Sequence, residues 1–281
     1  MLSDMRPSYA LSPIPVSVLV VTKNEEARIA DCLRALQDFG EVIIVDSHSK
    51  DQTCCEAAKN GARVVSFQWN GQYPKKRQWC LDHLELKFDW VFFVDADEIV
   101  STVLIDEIRS LFLEHEPEEA GFFITGRYQI GGRLLRFGIP NNKIALFHKS
   151  KMKFPVVDDL DLLGMGEIEG HYQPVCLEKD GKIGALRSYL VHLALEDERA
   201  WAFRHEKYAM WEAGMNRKQA WPQDPVRWRE IVKSFLRRSR YRAEIIYFLG
   251  YFLRFGFLDG KAGLKLATFK YKYYRRISSI T

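Results

Sequence analysis

Several things are missing from this 281-residue chain, and each absence removes a class of protein. No CxxC pair occurs among the five cysteines (Cys32, Cys54, Cys55, Cys80, Cys176), and their odd number with the adjacent Cys54 and Cys55 argues against a disulfide framework or a zinc site. A reducing cytoplasm fits that usage. No apolar run approaches the roughly 18 residues of a membrane-spanning helix. Met1 to Pro15 lacks a positively charged start followed by an apolar core, so it does not read as a signal peptide. GxGxxG is absent, which speaks against a dinucleotide oxidoreductase, and no Gly-rich triphosphate loop follows the first strand-like run. Repeats and low-complexity segments are also lacking.

What is present is a folded composition, 47% apolar and 28% charged, with an uneven charge distribution. Between Arg227 and Arg276 fourteen Lys and Arg face three acids (Glu230, Glu244, Asp259). That segment carries +11 and the remainder −7, within a formal total of +4. The basic end is therefore expected to have a separate job, or at least a separate partner. Clustered charge there suits lipid as well as nucleic acid, and no nucleic-acid partner is expected.

The first 115 residues alternate between strand and helix patterns. Val16–Val21 is a short β-branched run suited to a strand buried on both faces. A helix is expected over Glu25–Phe39, with Ile29, Leu33 and Leu36 at helical spacing and Gly40 at its stop. Val42–Val45 reads as a second strand, ending at Asp46. Asp51 is placed to cap a helix reaching Asn60, and Gly61 to close it. A strand at Ala62–Phe67, a helix at Lys75–Leu86, a strand at Trp90–Val94 and a helix from Ser101 complete the series. Alternation of this kind predicts an α/β fold with a mostly parallel sheet flanked by helices, whose ligands lie beyond the carboxyl ends of the strands.

After Pro117 the pattern changes. Gly121–Ile130 and Arg133–Ile139, joined through Gly131-Gly132, suggest a hairpin, and irregular Gly-rich sequence continues to about Leu186. From Asp197 the chain turns helical. The organisation expected is an extension over 1–14, a catalytic unit over 15–196 divided into a donor half (15–115) and an acceptor half (116–196), and a helical basic region over 197–281.

Asp95-Ala96-Asp97-Glu98 begins where a buried strand ends. On an extended chain Asp95 and Asp97 point to one side and can share a cation. Carboxylates are hard ligands for Mg²⁺ or Mn²⁺, which would complete its shell with water and diphosphate oxygens. A solvated loop with a helix cap explains the same residues. So does an Asp-nucleophile phosphatase-like hydrolase, although Ile99 departs from that pattern and the two earlier loops are left unexplained.

Pro15-Val-Ser-Val-Leu-Val-Val-Thr-Lys-Asn-Glu-Glu26, then Val42-Ile-Ile-Val-Asp-Ser-His-Ser-Lys-Asp-Gln-Thr53, then Asp89-Trp-Val-Phe-Phe-Val-Asp-Ala-Asp-Glu98 resemble, in order, the motifs of family 2 glycosyltransferases. The resemblance implies a GT-A fold, a Rossmann-like nucleotide-sugar-binding domain, and inverting, metal-dependent transfer from a nucleotide-activated sugar. It assigns Thr22, Asn24 and Glu25 to the first nucleotide-binding loop and Asp46 and Ser47 to the base and ribose. It sets Asp97 as the principal metal ligand, and Asp95 against the ribose or the metal's water shell. Ser47 stands where the family often has a second acid, and uracil is the first expectation for the base. Lys75-Lys76-Arg77-Gln78 resembles the basic stretch near the donor phosphates, with Lys76 and Gln78 as donor contacts.

Glu167 to Pro174, Gly181-Lys-Ile, His192 and the Trp201 to Glu212 segment resemble family members that build lipopolysaccharide cores or exopolysaccharides. A glycan or glycolipid acceptor follows from that likeness. A polyprenyl-phosphate glycosyltransferase and a non-catalytic membrane-surface module are the alternatives. The catalytic base is expected among Glu167 and Glu169, alternating on an extended strand, with Glu169 preferred beside Gly170 and Asp158 and Asp159 in reserve. His171, like His192, reads as a hydrogen-bonded structural residue. In the basic region Ile245–Leu253 is a nine-residue apolar run too short to span a bilayer, bracketed by Arg and Lys. It suits either peripheral contact of 227–276 with an anionic membrane, on the inner face of the cell membrane, or packing on the catalytic unit.

Overall fold

The computed structural model describes residues 12–169, 172–193 and 198–281. In chain order its elements are β1 (Ile14–Thr22), α1 (Ile29–Arg34), β2 (Phe39–Asp46), α2 (Thr53–Lys59), β3 (Arg63–Ser66), α3 (Lys76–His83) and β4 (Trp90–Asp95). There follow β5 (Glu98–Val100), α4 (Thr102–Leu111), β6 (Gly121–Ile130), β7 (Arg133–Leu134), β8 (Asn141–His148), β9 (Met152–Lys153), β10 (Val175–Cys176) and β11 (Ile183–His192). The remainder is helical: α5 (Glu198–Lys218), α6 (Arg227–Arg238), α7 (Arg242–Phe248), a π-helical turn (Leu249–Leu253), a 3₁₀ turn (Gly256–Asp259) and α8 (Gly260–Ile280).

The main sheet runs β3-β2-β1-β4-β8-β6-β11-β5, with β7 paired to β6. The first four strands are parallel. β8 is antiparallel to β4 and to β6, β11 is parallel to β6, and β5 is antiparallel to β11. Alternation along β1 divides the core between two faces. Val18 and Val20 pack with Ile29 and Leu33 of α1 and Leu104 and Ile108 of α4, whereas Leu19 packs with Cys80 of α3 and Trp211 of α5.

The first helix is shorter than its apolar spacing suggests. Turns occupy residues 35–38, and Phe39-Gly40 already belong to β2. Gly40 does not end a helix: a Cβ there would meet the Phe88 ring at 2.5 Å, so the residue is small to admit that ring. Asp51 does accept the Thr53 N–H at 3.0 Å ahead of α2, and Ser101 accepts the Leu104 N–H at the start of α4. The expected hairpin forms, but its second arm is only Arg133–Leu134. The stretch read as irregular holds β8, β9, β10 and the first four residues of β11.

α5 and α8 pack through Trp201 on Phe269, with ring centroids 4.6 Å apart, and through Tyr273 Oη donating to Glu212 at 2.7 Å. Among the described residues no helix is long and apolar enough to cross a membrane.

Candidate active site

Strand register brings three carboxyl ends level: Thr22 lies beside Asp46, and Val21 beside Asp95. The loops that follow β1 and β2 are stitched together. Thr22 Oγ1 donates to Asp46 Oδ1 at 3.0 Å, and Ser49 donates through N and Oγ to the same carboxylate at 2.7 and 2.5 Å. Asn24, in the left-handed region at φ 58°, donates its N–H to Ser49 Oγ and accepts the Lys50 N–H at Oδ1. The Glu25 N–H donates to Thr53 Oγ1 at 2.7 Å. Burial alone would raise the Asp46 pKa, but the hydrogen bonds from Ser49 and Thr22 hold it below the usual carboxylate range.

α3 inserts its first residues under these loops. The buried Lys76 Nζ donates to Thr22 O at 2.9 Å and Ser47 Oγ at 2.7 Å, joining the first and second motifs. Desolvation lowers its pKa to about 8. Beside it Arg77 donates to Asp95 Oδ1 at 2.8 Å.

At the end of β4 the chain does not stay extended. Ala96-Asp97 form a turn, so Asp95 and Asp97 are not alternate residues of one strand. Pairing of β8 with β4 stops at Phe92 and Leu146, and in the gap beyond it Lys143 Nζ donates to Asp95 Oδ2 at 3.0 Å and Glu98 Oε2 at 2.5 Å. Both Asp95 oxygens thus carry a cation. Burial opposes that charge, yet Lys143 and Arg77 keep the Asp95 carboxyl well below its ordinary range.

Asp97 faces β11. The His192 Nδ1 lies 3.7 Å from Asp97 Oδ1 and 3.8 Å from Glu98 Oε1, and β11 pairs His192 with Glu98 across the strands. His192 Nδ1 and Glu98 Oε1 are buried without a hydrogen-bond partner. Buried polar atoms are ordinarily paired, so these two, close to the Asp97 carboxylate, mark the spot as a candidate for a ligand. Glu25 joins the group electrostatically: burial and the Asp97 charge raise its pKa against the opposing pull of Arg28.

Thr22, Asn24, Glu25, Asp46, Ser47, Lys76, Asp95 and Asp97 therefore gather at one edge of the sheet, and two expected residues do not. Gln78 spends its side-chain amide on Asp82 and on the Phe154 N–H, at 2.7 Å each. Glu169 is buried and accepts the N–H groups of Arg77 at 3.1 Å and Gln78 at 3.0 Å, closing the α3 N-terminus. Desolvation raises its pKa, partly offset by Arg77. Residues 161–168 are turns and bends, so no strand alternation relates Glu169 to Glu167. The Glu167 carboxylate is half-buried, and among the described residues no hydrogen bond to it is formed. Gly170 and His171 lie outside the described residues, as do residues 194–197, where the helical region was expected to begin.

The reserve candidates are also committed. Asp159 is buried against Lys75, Tyr73 and Trp211, and Asp158 lies at the surface against Lys218. Sequence reasoning missed Lys143 and the pairing of Glu98 with His192. The signal for Lys143 was the buried Ile144–Phe147 run that follows it, which marks a strand.

The profile of Glycosyl transferase family 2 matches residues 17–172, more than half of the chain. The protein belongs to that family, and its fold is of the GT-A class. An uncharacterised glycosyltransferase of Rickettsia typhi is 37% identical over 151 residues, covering 50% of this chain and 48% of the relative. The lipopolysaccharide core biosynthesis glycosyltransferase LpsC of Rhizobium meliloti is 30% identical over 124 residues, covering 42% and 44%. Among solved structures, glucosyl-3-phosphoglycerate synthase from Mycobacterium tuberculosis, crystallised with Mn²⁺, UDP and glucosyl-3-phosphoglycerate, aligns at 27% identity over 42% of this chain and 45% of its own, with a TM-score of 0.32. These matches span less than half the length of the curated relatives.

Proposed function

We propose that the chain transfers a sugar, with inversion, from a nucleoside-diphosphate donor carrying uridine to a glycan or glycolipid acceptor of the lipopolysaccharide-core or surface-polysaccharide type, with a divalent cation. The observation that carries this reading is the pair of unpartnered buried atoms, His192 Nδ1 and Glu98 Oε1, beside Asp97 Oδ1 at the carboxyl end of β4. Among the described residues no three-ligand metal cluster exists. That suits a cation held by one or two protein groups and completed by phosphate oxygens and water. Asp97 and His192 would hold it, and a mixed oxygen and nitrogen set favours Mn²⁺ over Mg²⁺. Such a cation neutralises charge on a departing diphosphate.

The rest falls to the protein's own groups. Thr22, Asn24, Glu25, Asp46 and Ser47 frame the nucleoside, with Lys76 tying their two loops together. Asp95, fixed between Arg77 and Lys143, positions the turn that presents Asp97. The acceptor hydroxyl needs a carboxylate to take its proton, and Glu167 is the member of the expected pair whose carboxylate oxygens accept no hydrogen bond among the described residues. The likeness to a lipopolysaccharide-core enzyme supports the acceptor class.

The test is turnover of a panel of nucleotide sugars with Mn²⁺, with Mg²⁺ and with chelator, on the wild type and on Asp97→Ala. The variant should keep its thermal midpoint and lose turnover. Near-normal turnover that still requires metal would remove Asp97 from this role.

A further inference from the structure

α6 is built inside out. Four of its six charged side chains turn toward the protein: the buried Asp224 accepts from Arg229 Nε at 3.2 Å and Lys233 Nζ at 2.6 Å, and Arg237 pairs with Glu230 at 3.1 Å. The guanidinium of Arg229 lies 4.4 Å over the Phe123 ring, and that of Arg237 lies 4.1 Å over Trp221. The opposite face carries Trp228, Ile231, Val232 and Phe235, at the spacing of a single helical stripe, with relative exposures of 66, 63, 47 and 65%. Such a stripe ordinarily faces the core. Here no residue of the helix is buried, and the stripe faces water.

The exposed apolar surface continues along the chain with Tyr241, Phe248, Phe252, Leu253, Phe255 and Phe257. Its charge has one sign. Arg227, Arg238, Arg240, Arg254 and Lys261 are exposed, while every acid of the stretch is engaged: Glu230 with Arg237, Glu244 with Arg275, and buried Asp259 with the N–H groups of Arg136 and Phe137. A second copy of this chain would set one cationic rim against another. An anionic surface with an apolar interior complements both features.

We infer that α6 docks in the interfacial layer of an anionic lipid bilayer, with Trp228, Ile231, Val232 and Phe235 below the headgroups and Arg227, Arg238 and Arg240 at phosphate level. Exposed contiguous apolar surface marks an interaction site, and an amphipathic helix with interspersed Arg and Trp lies in such a plane. The aromatic residues between 248 and 257 supply a second point of attachment. This goes beyond the transfer reaction, whose residues lie at the ends of β1, β2 and β4 and need no membrane.

The experiment floats the full chain with phosphatidylglycerol/phosphatidylethanolamine vesicles and with phosphatidylcholine vesicles at physiological salt. Wild type should rise with the anionic vesicles and stay behind with the neutral ones. Trp228→Ser with Phe235→Ser should lower the partition at least about tenfold, because two large apolar side chains no longer enter the interface. Arg238→Gln and Arg240→Gln should each lower it about fivefold. All these side chains are exposed, so thermal midpoints and nucleotide-sugar turnover in solution should be unchanged, which separates failure of docking from failure of the transferase reading. Wild type that ignores anionic vesicles overturns the inference. So does a Ser variant that binds as wild type does, or a stable dimer in sedimentation velocity that Trp228→Ser dissolves.

Discussion

Replacing Asp159 by Asn tests whether this carboxylate is structural or chemical. Its Oδ2 accepts from Lys75 Nζ at 2.6 Å and from Trp211 Nε1 at 2.8 Å, and its Oδ1 accepts from Tyr73 Oη at 2.8 Å. The side chains of Lys75 and Asp159 are 1% and 0% exposed. The asparagine removes the charge that compensates the Lys75 ammonium, whose only other acceptor among the described residues is Ile168 O at 3.5 Å. It also turns an NH₂ toward a donor. Breaking a buried pair from one side costs about 3–5 kcal/mol. With an unfolding entropy of roughly 2.1 cal/mol/K per residue, that is a fall of about 5–8 °C in midpoint for a chain of this size.

Urea and thermal unfolding would measure the shift, and nucleotide-sugar turnover well below the midpoint would show whether function survives. Lys75→Met with Asp159→Leu should be less destabilised than Asp159→Asn, since no buried charge is left alone, while Tyr73 and Trp211 still lose an acceptor. A shift below about 1 kcal/mol, far under the range for a buried pair, would refute the reasoning. So would folded protein at full stability that has lost turnover.

Lys76 predicts a pH dependence. Its pKa is about 8 in the fold against 10.5 in the open chain, so below pH 8 both states are charged and the fold carries the whole desolvation penalty. Between those values the unfolded chain holds the extra proton, and stability rises with pH, by at most about 3 kcal/mol. Lys76→Met should abolish that rise in urea midpoints taken from neutrality to pH 10.5, and parallel curves for the two proteins would show the assignment to be mistaken. Glu169→Gln loses one acceptor and the charge at the α3 N-terminus and should cost about 1–2 kcal/mol. Glu167→Gln should keep its midpoint and slow transfer by about 10²- to 10⁴-fold; the reverse pattern would return the base to Glu169.

The parallel half of the sheet was legible because its information is local. A strand buried on both faces announces itself as Val16–Val21 or Val91–Val94, and polar residues at its end lie where ligands bind. The antiparallel half was not, because its strands are defined by partners far along the chain. β5 is three residues long and exists through β11, some ninety positions later, which is why Glu98 read as a loop acid and His192 as a lone structural histidine. Gly40 shows the same limit at a single residue. Helix stop and close approach of a ring both demand glycine, and only the placement of Phe88 separates them. Similarly, the Ser101 cap and the Asp51 bond to the Thr53 N–H ahead of α2 could be read from neighbours, whereas the α3 N-terminus is closed by Glu169, ninety residues away.

The basic region shows why one stretch of charge can serve two ends. Packing on the rest of the chain and contact with a membrane looked like rival explanations of its cations, but the structure commits some of these cations to packing and leaves others exposed. Arg242, Lys265 and Arg276 pair with Glu212, Glu198 and Glu206 of α5, so part of the surplus positive charge answers the negative balance of the rest of the chain. Arg229 and Lys233 are spent on Asp224, just ahead of the helix, and Arg229 also lies over Phe123 of β6, which holds α6 by its charged side. A helix fastened through its cations has its apolar stripe left over, and the stripe faces outward because the inward face is taken. Six exposed cations remain, Arg227, Arg238, Arg240, Arg254, Lys261 and Lys272, and they engage no acid among the ion pairs of the described residues; Arg227 and Arg238 lie on α6 itself. The segment's sequence charge therefore overstates what is free for a partner, while its apolar face, unremarkable in composition, is the larger resource. Neutralising Asp224 would accordingly loosen α6 from the protein before it altered the stripe's affinity for lipid, and limited proteolysis at Arg227–Arg238 would report the loosening.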